Sequence, residues 1–124
     1  MTKIARLKRR AEFLAVAASR RRYVTPGLIL QTAPCPGAIR PRVGFTASKK
    51  VGIAVARNRA RRRLRAAAEC IIARHGAPEQ DYVLIAREAT TTRPFAALLG
   101  DLETALKHVG AYRTENESAA GALS

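Results

Sequence analysis

No apolar run in this 124-residue chain approaches the roughly 20 residues that a membrane-spanning helix needs. The N-terminus is rich in Lys and Arg, with neither an apolar h-region nor a cleavage site behind it, so a soluble cytoplasmic protein is expected. Cysteine is scarce: Cys35 lies in a Pro34-Cys35-Pro36 turn and Cys70 in a helical stretch, and only His75 and His108 could join them. Metal sites need ligands clustered at defined spacings, and no such cluster is present, so both thiols read as small buried or incidental residues in a reducing compartment. Acidic residues are the scarcest relative to their counterparts, at 9 Asp plus Glu against 23 Lys plus Arg. Among the first 68 residues Glu12 is the only acid beside 18 basic residues, whereas the remainder is mildly acidic. The basic half is therefore the working surface, and a net charge of +14 points to a polyanionic partner.

A chain of this length is one domain, and 48% hydrophobic residues can bury a core, which excludes a multidomain enzyme. Phe13, Val16 and Ala17 recur at helical spacing between Leu7 and Ala18, and Arg20, Arg21 and Arg22 suit a helix C-terminus. After the Thr25-Pro26-Gly27 turn, Leu28 to Ala33 reads as a strand, and the proline-rich segment 34–41 as a loop. Val43, Phe45 and Ala47 alternate with Gly44, Thr46 and Ser48 in a second strand, which such a loop would most simply pair antiparallel with the first. From Asn58 to His75, Ala60, Leu64, Ala67, Ala68 and Ile71 form a helical stripe closed by Gly76 and Pro78. A strand over 81–87 follows, and then a helix from Pro94 with an apolar stripe of Phe95, Leu98, Leu99, Leu102, Leu106 and Val109. The order helix-strand-strand-helix-strand-helix gives an α+β two-layer sandwich of helices on a small mixed sheet. Residues 1–112 form one domain, and 113–124 are too polar and small to pack, giving a disordered tail.

Eight basic residues and no acid lie between Lys49 and Arg65. On a helix, Asn58, Arg61, Arg62 and Arg65 point away from the Ala60/Leu64/Ala68 stripe, with Arg59 and Arg63 on one flank. A merely solvated face would interleave Glu with the cations, and here no acid occurs before Glu69. Guanidinium forks match phosphate oxygens bidentately, so an Arg-rich face without acids suits nucleic acid. Charge and fold alone also admit a structural RNA-binding protein, such as a ribosomal protein or RNA chaperone. A DNA-binding protein lacks support, because no helix-turn-helix spacing, zinc ligands or heptads occur.

The run from Arg42 through Lys49-Lys50-Val51-Gly52 to Arg57-Asn58-Arg59 and Arg65 resembles the signature of the bacterial ribonuclease P protein component, including its RNR motif. Leu7-Lys8 through Glu12-Phe13 and Asp81 to Arg87 resemble that family's opening helix and later strand. The resemblance implies a left-handed βαβ crossover and partnership with a large catalytic RNA that removes the 5′ leader from precursor tRNA by phosphodiester hydrolysis. It implies RNA contacts by Lys49, Lys50, Arg57, Asn58, Arg59, Arg61, Arg62 and Arg65. A leader-binding cleft between the first helix and the sheet would use Phe13 and Gln31. The family often has aromatics where this chain has Ala17 and Gln31, so Phe13 carries most of the stacking; it could instead be a core residue under its helix. A divalent metal, Mg, would be used by the RNA, with none held by the protein. The residues agree with a division in which RNA does the chemistry: the basic half has no set of carboxylates to hold two metals, and the histidines lie outside the basic motif.

Overall fold

Alternation along two segments sorts the core. Leu28, Leu30, Tyr82 and Leu84 join one buried cluster, while the intervening Ala33 and Val83 join another. These segments are β3 (Leu28–Pro34) and β5 (Gln80–Ala86) of a five-stranded sheet completed by β1 (Ala5–Arg6), β2 (Arg21–Val24) and β4 (Arg42–Thr46). The strand order is β1-β4-β5-β3-β2. β1 and β4, and β4 and β5, are parallel, whereas β5 and β3, and β3 and β2, are antiparallel. Three helices complete the fold: α1 (Arg10–Ala18), α2 (Ala54–His75) and α3 (Phe95–His108). The computed structural model describes residues 4–112, so the expected tail over 113–124 lies outside the described residues.

The α2 and α3 helices bury Leu64, Ile72, Leu98, Leu102 and Leu106 against the Leu30/Val43/Leu84 side of the sheet. α1 crosses the opposite face, where Val16 and Leu7 meet Ala33 and Val83. Tyr82 is fully buried on the α2 side, yet its hydroxyl accepts from the Ala77 amide (2.9 Å) and donates to the Ala111 carbonyl (3.1 Å), which removes the penalty of burying it. No helix among the described residues is long and apolar enough to cross a membrane.

The structure corrects the sequence reading in several places. Arg21 and Arg22 do not close the first helix but begin β2. Arg20 adopts φ 60°, which ends α1, and the Ser19 hydroxyl ties that corner to the Thr32 carbonyl at 2.6 Å. β1 was not expected, because two residues carry no periodicity. The two strands flanking the proline-rich loop are not partners: β5 lies between them and pairs with both. β5 is buried along both faces and must be central, and the seven-residue loop over 35–41 readily steps over one strand, a span of about 10 Å. Finally, α2 begins four residues before Asn58, with Ile53 at its N-cap and no side-chain capping bond to announce it. Phe95, expected on the buried stripe of α3, is partly exposed instead, and Cys70 lies exposed on α2.

Candidate nucleic-acid interface

Ala60, Leu64, Ala67 and Ala68 are fully buried, so α2 has one possible orientation and its basic face must turn outward. Asn58, Arg59, Arg62 and Arg65 are exposed, and Arg57 and Arg61 are half-buried. The structure brings Asn58, Arg61, Arg62 and Arg65 together around a hollow of about 310 Å³ whose remaining walls are Arg6 and Phe45. The Arg6 guanidinium stands 5.6 Å over the Phe45 ring, and Arg61 donates to the Asn58 side-chain oxygen, which orients its fork. No acid lines this hollow. Sequence reasoning missed Arg6, because it lies on β1 far from the motif; it placed Phe45 on one strand face with Val43, which the structure turns toward α2, but did not recognise it as a wall.

Lys49 and Lys50 belong to a short 3-10 turn, Lys49–Val51, ahead of α2, with the Ser48 hydroxyl accepting from the Lys50 amide. Lys50 does not line the hollow of the other motif residues but one on the α1 side of the sheet. Arg63, the motif's flanking cation, is structural: it donates to the Thr90 carbonyl at 2.6 Å and to the Arg93 carbonyl, fastening α2 to the segment before α3. Arg57 Nε is buried without an acceptor among the described residues.

On the other face, Gly44, Val83, Gln31 and Arg22 are register partners and form one row across four strands. Phe13 is half-buried against the Leu7/Val16/Val83 cluster, with its ring directly over Gly44; a Cβ at Gly44 would lie 2.4 Å from a ring atom. Phe13 therefore has a packed face and an accessible edge. Gln31 shares that sheet face two strands away. In the next row Thr46, Ile85 and Ile29 are half-buried and Val24 is exposed. This row leads to a hollow of about 740 Å³ lined by Ile29, Ile85, Ser48, Lys50 and Arg87 among others. The result is an apolar trough with Lys50, Arg87 and Glu88 at its end. Arg22 and Arg87 were not singled out from sequence, since their positions depend on strand register.

The position of α1 over this trough is set by a charged cluster. Arg42 donates to both Asp81 carboxylate oxygens, at 2.7 Å each, and to Glu12 Oε2 at 2.8 Å. Glu12 Oε1 accepts from the Lys8 and Arg9 amides at the start of α1. The Arg9 amide, then that of Lys8, with Arg42 adding to them, hold the Glu12 carboxyl below its ordinary value of 4.5. The Arg42 guanidinium is raised, chiefly by its hydrogen bonds to Asp81. A carboxylate depressed in the folded state contributes stability above its unfolded pKa and loses it as pH falls through the folded value. We expect Glu12→Gln to melt below wild type at pH 7 and the gap to close as pH falls below about 4.5. Melting curves from pH 3 to 7 check this, and a gap independent of pH would exclude the carboxylate's role.

Three further polar side chains are engaged in structure. Asp101 is bonded to Arg93 at 2.5 and 3.0 Å, and the His108 and His75 rings stack on Tyr23 and Tyr112. No group of three metal-ligating side chains occurs among the described residues. The surfaces present guanidinium and ammonium groups, the Asn58 and Gln31 amides and apolar strips, a set that suits a polyanion with flat bases.

Comparison with known proteins agrees with this reading. Residues 1–110 match the Ribonuclease P family. The chain is 55% identical over 112 residues to the ribonuclease P protein component of Paramagnetospirillum magneticum, covering 87% of this chain and 84% of the relative. It is 47% identical over 110 residues to that of Gluconacetobacter diazotrophicus, covering 89% and 95%. The fold matches the RNase P protein of Staphylococcus aureus with a TM-score of 0.73 at 23% identity, covering 87% of this chain and 97% of that one. For the Thermotoga maritima RNase P protein the TM-score is 0.67 at 22% identity, covering 78% and 90%.

Proposed function

The chain belongs to the ribonuclease P protein family and is a subunit of the ribonucleoprotein that matures tRNA 5′ ends, and from that premise we propose how its two surfaces divide the work. The α2 surface binds the catalytic RNA: Arg59, Arg61, Arg62, Arg65 and Arg6 contact phosphates, with Asn58 orienting Arg61. Arg57 and Lys49 extend this contact, and a phosphate oxygen would supply the acceptor that buried Arg57 Nε lacks. The trough beneath α1 receives the unpaired 5′ leader of precursor tRNA, with Phe13 stacking on a base, Gln31 hydrogen-bonding and Lys50 gripping the backbone. The observation that carries this reading is the acid-free basic hollow around Asn58, Arg61, Arg62, Arg65 and Arg6.

Hydrolysis belongs to the RNA with its divalent cation, Mg. Among the described carboxylates, Glu12 and Asp81 are held by Arg42, and Asp101 by Arg93. Residues 1–112 act as one RNA-binding domain in the cytoplasm. Reconstitution tests the assignment: protein plus the cognate ribonuclease P RNA cleaves precursor tRNA at low divalent salt where the RNA alone is weak. Cleavage no better than that of RNA alone would refute it.

The leader contact makes its own prediction. Phe13→Ala weakens precursor tRNA binding by about 1–3 kcal/mol while leaving mature tRNA nearly unaffected, because only the precursor carries a leader. Gly44→Ala has the same selectivity, since its methyl group drives the Phe13 ring off the strand. Titrations with precursors of different leader length measure both, alongside melting curves. An unchanged leader contribution in both variants would place the leader elsewhere.

A further inference from the structure

A further hollow, of about 670 Å³, lies between the first turn of α2 and the start of α3, walled by Ile53, Val55, Arg59 and Pro94 among others. Its walls break the usual rules for surface residues. Ile53 is 75% exposed and Val55 71% exposed, and Ile53 stands at an N-cap, where a side chain able to bond the helix amides is favoured. Neither burial nor capping accounts for them. Phe95, 38% exposed, lines an adjoining hollow with Arg59, Arg62 and Arg63. The two hollows share Arg59 and Arg63, and Arg63 is held in place by backbone carbonyls. No acid lines either one. Arg62 also lines the basic hollow beside Asn58, so the apolar patch continues the surface assigned to RNA.

We propose that this patch is a base-binding subsite, in which an unstacked nucleobase of the catalytic RNA lies against Ile53, Val55 and Phe95 while Arg59 and Arg62 contact its phosphates. Charge decides among occupants. A second copy of a chain carrying +14 would bring like charges together, and an apolar protein segment would strip water from Arg59 without offering it an anion. A nucleotide offers both components, a flat π-face for the apolar walls and guanidinium planes and a phosphate for the charge. The proposal rests on the assignment of α2 to the catalytic RNA and adds to its phosphate contacts a base contact made by apolar residues, Ile53 and Val55 within the motif and Phe95 outside it.

The test uses the full chain and its cognate ribonuclease P RNA. The double variant I53S/V55S should lose about tenfold or more in RNA affinity, the range that loss of base stacking gives. Its salt dependence should match wild type, because no phosphate contact is removed. The chain has no tryptophan, so Phe95→Trp creates a lone indole whose fluorescence should be quenched when the RNA binds. Wild-type protein that failed to bind the RNA would overturn the functional assignment and this proposal with it. Wild-type binding accompanied by undiminished I53S/V55S affinity and an unquenched indole would overturn the subsite alone. A shallower salt slope in I53S/V55S, or concentration-dependent self-association that the double variant abolishes, would also overturn it.

Discussion

Replacing Arg61 and Arg62 by alanine weakens binding of the ribonuclease P RNA by about a hundredfold at physiological salt, because two hydrogen bonds to charged phosphates are lost at about 1.5 kcal/mol or more each. The dependence of log affinity on log salt becomes shallower by about two units, close to one per lost phosphate contact. The fold survives, since the stripe that anchors α2 consists of Ala60, Leu64, Ala67 and Ala68. Asn58→Ala has a smaller effect in the same direction, because it leaves the Arg61 charge and removes only the acceptor that orients it. Filter binding across a salt series, with circular dichroism as the folding control, measures each part. Wild-type affinity and slope in the double variant would remove α2 from the RNA interface.

Arg42→Ala should have the largest effect on the protein itself. The loss of stability is about 2 kcal/mol, between the value of an exposed ion pair and the 3–5 kcal/mol of breaking a buried one, because Arg42 retains 30% side-chain exposure while Asp81 retains 9%. For a domain of this size that corresponds to a melting temperature lower by about 10 °C. Functionally, α1 loses its tie to β4, so the Phe13 edge is no longer fixed over Gly44 and leader-dependent affinity falls. Asp81→Asn separates this from a direct RNA contact by Arg42: it disrupts the same cluster without removing a cation. Arg42→Lys restores little, since an ammonium cannot bond both oxygens of Asp81 and reach Glu12 in the same way. Unchanged leader affinity in both Arg42→Ala and Asp81→Asn, each melting lower, would show that the cluster does not position the cleft.

The basic face of α2 was legible in the sequence because it is local. Helical spacing places Asn58, Arg61, Arg62 and Arg65 on one side whatever the rest of the chain does, and the buried alanine and leucine stripe fixes which side that is. The same holds for the alternation in β4 and β5 and for the one-sided charge of the first 68 residues. Where local signals were weak, the reading failed. Ile53 gives no capping signal, so α2 begins earlier than its pattern suggests. Arg21 and Arg22 suit a helix end by charge, and only pairing with Thr32 and Gln31 makes them a strand. Phe95 has helical spacing with the core leucines and still points partly to solvent.

Everything that depends on which strand lies beside which was decided by tertiary structure. β5 enters between β3 and β4 because its side chains are apolar on both faces and must be covered on both, a competition among strands that no local window records. That insertion aligns Gly44, Val83, Gln31 and Arg22 in one row and so brings Phe13 and Gln31 to a common trough. Likewise Arg6 reaches the α2 hollow only because two residues of β1 pair with the edge of β4. Composition, charge and helical periodicity thus pointed to a polyanionic partner and to the helix that bears the cations, and the resemblance of the run from Arg42 to Arg65 pointed to ribonuclease P RNA. The cleft, the Arg42 cluster that holds α1 and the additional walls of both surfaces arise from contacts between residues distant in sequence, whose energies exist only once the sheet has formed.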